Sequence, residues 1–171
     1  MQVKPAGPRG RNVARTGGKN MDIHRRRYLI AAVAASFASI PAASALAAPA
    51  HAVTVYKNRA CGCCGGWIEH MRTNGFALRV YDVDDVTPHK QRLGVPMELA
   101  SCHTAEVGGY AIEGHVPAAD IRRLLAERPA AARGLAVPGM VPSSPGMDGP
   151  RTAYTTLLFD SRGRASPFAQ H

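Results

Sequence analysis

Three cysteines fall within four positions, Cys61, Cys63 and Cys64, in the stretch RACGCCGGW; a fourth, Cys102, stands in ASCHT, and the chain has no others. Thiols so placed can close a structural bridge, exchange disulfides or hold a metal. An even count allows two bridges, but spacing argues against that as the whole account. Cys63 and Cys64 are neighbours, and Cys61 with Cys63 makes a tight ring. Cys61 and Cys64 form a C-x-x-C pair of ordinary geometry, which leaves Cys63 inside the loop. As metal ligands, soft thiolates suit Cu(I), zinc or iron–sulfur clusters. Zinc favours separated ligand pairs that build a tetrahedron. A compact triplet facing one distant thiol is better suited to bridging several soft ions.

Other candidate donors lie downstream. VPGMVPSSPGMDGP (137–150) repeats Pro-Gly-Met, at Met140 and Met147. Thioether sulfur suits Cu(I), although methionines also fill packing gaps. His103 adjoins Cys102, and His115 sits in EGHVP; both are second-tier ligand candidates. His70, His89 and His171 read as surface or hydrogen-bonded residues, Trp67 as core, and Asp82, Asp84 and Asp85 as a strand end and turn.

The elements around these residues follow from periodicity. VTVYKN (53–58) is a β-rich run. Gly65-Gly66 opens a helix in which Trp67, Ile68 and Met71 share a face, and Gly75 stops it. FALRVYDVD alternates as a half-buried strand. Thr87 as cap, Pro88 and Gly94 bound a short helix. YAIEGHV reads as a strand, and PAADIRRLLAERP as a helix between Pro117 and Pro129. TAYTTLLFD and RASPFA form a closing hairpin across 160–163. The order β-α-β-α-β-α-loop-β-β predicts an α/β fold, a small mixed sheet with helices on its faces. A C-x-x-C after the first strand, where the first helix begins, is the thioredoxin arrangement. Pro96 is one candidate for the cis-proline that accompanies it. The helix start favours anions, so thiolates there are better nucleophiles and better ligands.

The chain has 171 residues and a formal charge of +9. Eight of its Lys/Arg and one acid lie within residues 1–48, a net +7, which leaves +2 for the rest. A nucleic-acid-binding domain keeps its basic patch on the folded part, so that class is excluded. The basic segment reads instead as an export signal. Arg25–Arg27 precede an Ala-rich apolar run too short to anchor in a bilayer, and Ala45–Ala47 fit an A-x-A cleavage site. Residues 1–47 are then a leader, with Met21 an alternative start of translation, and 48–171 one domain. RRRYLI fits either an ordinary secretory or a twin-arginine signal. No later segment is apolar enough to span a membrane. The expected location is the periplasm, where unprotected cysteines are oxidised.

VYKNRACGCCGGWIEHMRTNGF, GVPMELASCHTAEVGGYAIEGHVPAADIRRLL and GLAVPGM…SPGM together resemble the CopG-type periplasmic metal-binding proteins, over essentially Val53 to Phe168. The resemblance implies a thioredoxin-like fold, a place in copper-resistance systems and copper binding through the C-x-C-C cysteines. It makes Cys61, Cys63 and Cys64 the main ligands and Cys102 an additional one, matches Met140 and Met147 to the family's Pro-Gly-Met loop, and suggests a change in copper oxidation state. Periplasmic copper-handling or redox proteins are the implied partners. The competing reading is a periplasmic thiol–disulfide oxidoreductase using Cys61 and Cys64. Against it stands Cys63, a third thiol able to trap mixed disulfides.

Overall fold

The computed structural model describes residues 52–171; the expected leader and its cleavage site lie outside them. The elements run β1 (Ala52–Asn58), α1 (Gly62–Thr73), β2 (Ala77–Val83), α2 (Thr87–Leu93), β3 (His103–Val107), β4 (Tyr110–Glu113), α3 (Ala118–Glu127), β5 (Ala132–Ala136), β6 (Thr155–Asp160) and β7 (Ala165–Gln170). All seven strands form one sheet in the order β2-β1-β3-β4-β5-β6-β7. The crossover helices α1 and α3 each join a parallel pair, β1 with β2 and β4 with β5. The remaining neighbours are antiparallel. The expected mixed α/β sheet is the one observed.

Successive residues on the central strands serve opposite faces. Ile112 and Leu135 join Val53, Val55, Trp67, Met71, Ile121 and Leu124 in a core under α1 and α3. Their neighbours Ala111 and Ala136 turn to the other face, against Leu93, Val95, Leu99 and Phe159 beside α2. Helices therefore cover both faces. The edge strand β2 has no fully buried residue, as its alternating pattern predicts.

Four expectations need correction. The first helix starts at Gly62, not at Gly65-Gly66, so Cys63 and Cys64 lie within its first turn. Val86, not Thr87, occupies the α2 cap position; the Asp85 carboxylate accepts the Thr87 N–H instead. Two strands, β3 and β5, were not anticipated. β5 is only five residues, ARGLA, with three of them buried, so it shows no alternation to read. Among the described residues no peptide bond is cis, so Pro96 is not the cis-proline suggested for it.

Candidate metal centre

The site forms where β1 ends and α1 begins. Asn58 fixes that turn: its side-chain oxygen accepts the Ala60 N–H at 2.9 Å, its amide donates to the Asp84 carbonyl at 2.9 Å, and its own carbonyl accepts the Cys61 N–H at 2.9 Å. Cys61 is extended, with φ −77° and ψ 97°, and no side chain caps the helix. The free N–H groups of the first turn favour anionic sulfur beside them. Cys64 is fully buried, while Cys61 and Cys63 are half-buried.

Cys102 comes from the segment entering β3 and meets the triplet directly. Its Sγ lies 3.6 Å from that of Cys64 and 3.9 Å from that of Cys63, and Cys63 Sγ lies 3.5 Å from Cys61 Sγ. Cys61 and Cys64 are joined by a disulfide; Cys63 and Cys102 are free thiols. Of the bridges weighed from the sequence, the C-x-x-C pair is the one formed. It occupies two of four sulfurs, and reduction would return them as donors.

Two imidazoles complete the arrangement. His115 Nε2 is 3.2 Å and His103 Nδ1 3.3 Å from Cys102 Sγ. His115 Nδ1 lies 2.8 Å from the Pro145 carbonyl oxygen. A carbonyl only accepts, so Nδ1 carries the hydrogen and Nε2 presents its lone pair to the sulfur. His103 is fully buried, and its Nε2 has no partner among the described residues. Its single hydrogen therefore belongs on Nδ1, donated to Cys102. Burial above all, then His115, Lys90 and Lys57, holds His103 well below the usual histidine range. Burial likewise lowers His115, against the pull of the Pro145 carbonyl. Both rings are neutral, as metal-binding imidazoles must be. Burial and then the neighbouring Cys63 push the Cys102 thiol up to about 11. It is therefore protonated here and donates to His115. Two groups of donors, Cys61–Cys63–Cys64–Cys102 and Cys102–His103–His115, each lie within 4.8 Å and share Cys102.

His70 and His89 have ordinary roles. His70 Nε2 accepts the Ala118 N–H at 3.1 Å, and His89 stacks on Tyr56. Trp67 is fully buried, donates to the Val116 carbonyl at 2.8 Å and lies 4.5 Å, centroid to centroid, from His103. It forms the apolar wall of the site.

The segment 137–150 straps across the helix start through Pro145 and Gly146. Met140 stands half-exposed and Met147 half-buried on it. Gly146 has φ +81°, and a Cβ there would sit 2.3 Å from Gly66 C and Trp67 N; one on Gly66 would sit 2.6 Å from Gly146 O. Backbone thus touches backbone, which only glycine permits. Gly146→Ala is expected to cost at least about 2 kcal/mol and to pull Pro145 from His115. A Cβ on Gly65 meets nothing within 4 Å, so Gly65→Ala should leave the unfolding free energy within about 0.5 kcal/mol of the parent or raise it. Urea titrations of the two variants check both.

Sequence reasoning missed the support beneath Cys102. Glu113, fully buried at the end of β4, pairs with the equally buried Lys90 ammonium of α2 and accepts the Ser101 N–H at 2.6 Å. That bond fixes the residue before Cys102. A glutamate closing the apolar strand YAIE was the available signal.

A family model described as a protein of unknown function, DUF411, matches residues 99–147. That segment carries Cys102, His103, Glu113, His115 and the strap as far as Met147, though not the triplet. Among solved structures, "Copper resistance protein copG- Form 2" is 41% identical, covers 71% of this chain and 98% of its own, and superposes with a TM-score of 0.67. The chain belongs to the CopG family. A second structure of that family, "Copper resistance protein copG- Form 1", is 44% identical over 70% of this chain and 96% of its own, with a TM-score of 0.65. No curated protein matches the chain. The CopG likeness and the donor groups together give a relative of copper resistance proteins with a cysteine and histidine cluster able to hold a metal.

Proposed function

We propose that this chain is an exported copper-binding protein of copper resistance that takes Cu(I) on Cys61, Cys63, Cys64 and Cys102. The observation that carries the reading is Cys102, common to both donor groups. In this reading residues 1–47 direct export to the periplasm and 48–171 form a thioredoxin-like domain; the order β2-β1-β3-β4, with a C-x-x-C at the start of α1, supports it. Among the described residues no helix is long and apolar enough to cross a membrane. His115 fits as a further ligand because its Nε2 lone pair already faces the sulfurs. His103 fits as a hydrogen-bond donor to Cys102, since ligation through Nδ1 would require its hydrogen to move to Nε2. Met140 and Met147 are soft donors at the strap for ions entering or leaving.

The same cysteines permit a redox step. Oxidation of the Cys61 and Cys64 thiols to their disulfide releases two electrons and two protons, and the electrons reduce two Cu(II) to two Cu(I). A periplasmic dithiol partner would then reduce the disulfide again. The disulfide alone favours a second reading, a thiol–disulfide oxidoreductase acting on other proteins.

Metal analysis of protein reduced and loaded with copper anaerobically, run beside an insulin-reduction assay, separates the two. Copper retained through gel filtration, weak insulin reduction and lower copper content in Cys63→Ser are expected. Robust dithiol turnover with no bound copper would reverse the assignment.

A further inference from the structure

A cavity of about 360 Å³ opens at the end of the sheet remote from the cysteines, lined by Ala130–Ala132, Arg133, Asp160, Ser161, Arg162 and Arg164. It lies at the start of β5, whereas the residue after the end of β5, Val137, bonds to the Glu113 carbonyl at the metal centre. Three arginines reach it by two structural routes. Arg133 occupies a bulge: the β5–β6 register shifts between Ala132 and Gly134, leaving Arg133 without a cross-strand partner. Such bulges re-aim a side chain. Arg133 Nε donates to the Leu93 carbonyl at 2.8 Å, which holds the guanidinium and leaves its terminal N–H groups free. Arg162 and Arg164 come from the β6–β7 turn.

Asp160 builds that turn and is used up by it. One carboxylate oxygen accepts the Arg162 N–H at 2.8 Å and the Arg164 N–H at 3.0 Å; the other takes Arg164 Nε at 2.8 Å and Nη2 at 2.6 Å. Among the described residues no carboxylate lies in ion-pair contact with Arg133 or Arg162. Two guanidinium groups therefore face the cavity without a counter-charge, and Ser161 adds a hydroxyl. Guanidinium forks match oxyanions by paired, charge-assisted hydrogen bonds. The volume lies in the range of small-molecule sites and exceeds the needs of a halide.

We propose that this cavity is a second binding site, for a phosphate group, with Arg133 and Arg162 as its principal contacts and Asp160 with Arg164 as its frame. The proposal stands apart from copper binding, at the other end of the sheet.

Amide NMR of the full domain titrated with pyrophosphate tests it at two salt concentrations. Saturable shifts at 130–133 and 160–164 are expected, with the Cys61–Cys64 and Cys102 amides unmoved. Affinity should fall about tenfold in Arg162→Gln and fall with added salt. Arg162 is exposed, so that variant keeps its fold; Arg133→Gln is the second arm. Sedimentation with phosphatidylglycerol vesicles, against phosphatidylcholine vesicles, distinguishes the source. Vesicle binding lost in Arg162→Gln assigns the phosphate to a lipid headgroup, and pyrophosphate binding without it assigns a free phosphate compound. Shifts that never saturate below about 10 mM, or binding equal in parent and both variants, would overturn the site.

Discussion

Cys102→Ser should lose most of its bound Cu(I) while keeping its fold. Cys61, Cys63 and Cys64 all project from one turn at the start of α1, so they can approach a metal from one side. Cys102 arrives from a separate segment, the one entering β3, 3.6 Å from Cys64 Sγ and 3.9 Å from Cys63 Sγ. It is also the sulfur that joins the triplet to His103 and His115, at 3.3 and 3.2 Å. Serine keeps the shape but offers a hard oxygen that stays protonated, a poor partner for Cu(I). Losing even an outer-shell partner of a metal site costs about 10–100-fold in affinity, so losing a thiolate should cost at least roughly 100-fold. Stability should move by less than about 1 kcal/mol, because the residue is half-buried and the change is nearly isosteric. A competitive Cu(I) titration on reduced protein, beside a urea melt, reads both quantities. Unchanged Cu(I) affinity would leave Cys102 as a small packing residue and remove the centrepiece of the copper reading.

Local features of the sequence carried much of the fold. Pro117 and Pro129 bracket α3, and Trp67, Ile68 and Met71 mark the buried face of α1. What failed was long-range or masked by composition. Gly62 discouraged an early helix start, yet the turn held by Asn58 begins the helix there and carries Cys63 and Cys64 into its first turn. β5 was invisible because a five-residue strand, ARGLA, whose last three residues are all buried has no period to read. His103 and His115 are twelve positions apart in the sequence. They meet because the β3–β4 hairpin sets Thr104 opposite Glu113, a register fixed by pairing and not by spacing. The Cys61–Cys64 bridge was legible as the C-x-x-C pair. The pairing of Lys90 with Glu113 was not, since nothing local says that a lysine on a short polar helix is buried.

That buried pair gives the largest expected change in stability. Lys90 and Glu113 have side chains 4% and 0% exposed, and removing one partner of such a pair costs about 3–5 kcal/mol by stranding the other charge. Lys90→Met should fall in that range at neutral pH, with a dependence on pH that identifies the cause. Burial raises Glu113 above the ordinary carboxylate range, and Lys90 is the largest influence opposing that rise. In the parent the folded-state carboxyl already binds its proton more tightly than the unfolded one, and with Lys90 gone it binds it more tightly still. The native state then holds more protons than the unfolded state, so stability falls as pH climbs from the unfolded value toward the raised folded one. Lys90→Met should therefore be closest to the parent near pH 4.5, and its deficit should grow by up to about 1.4 kcal/mol per pH unit once pH passes the parent's own raised folded-state value. Lys90→Met/Glu113→Gln should abolish that slope and recover part of the loss, because the glutamine oxygen can still accept the Ser101 N–H ahead of Cys102. Urea melts of the single and double variants from pH 4.5 to 8 measure it. A single variant whose deficit is the same at every pH would show that Glu113 is not held ionised by Lys90.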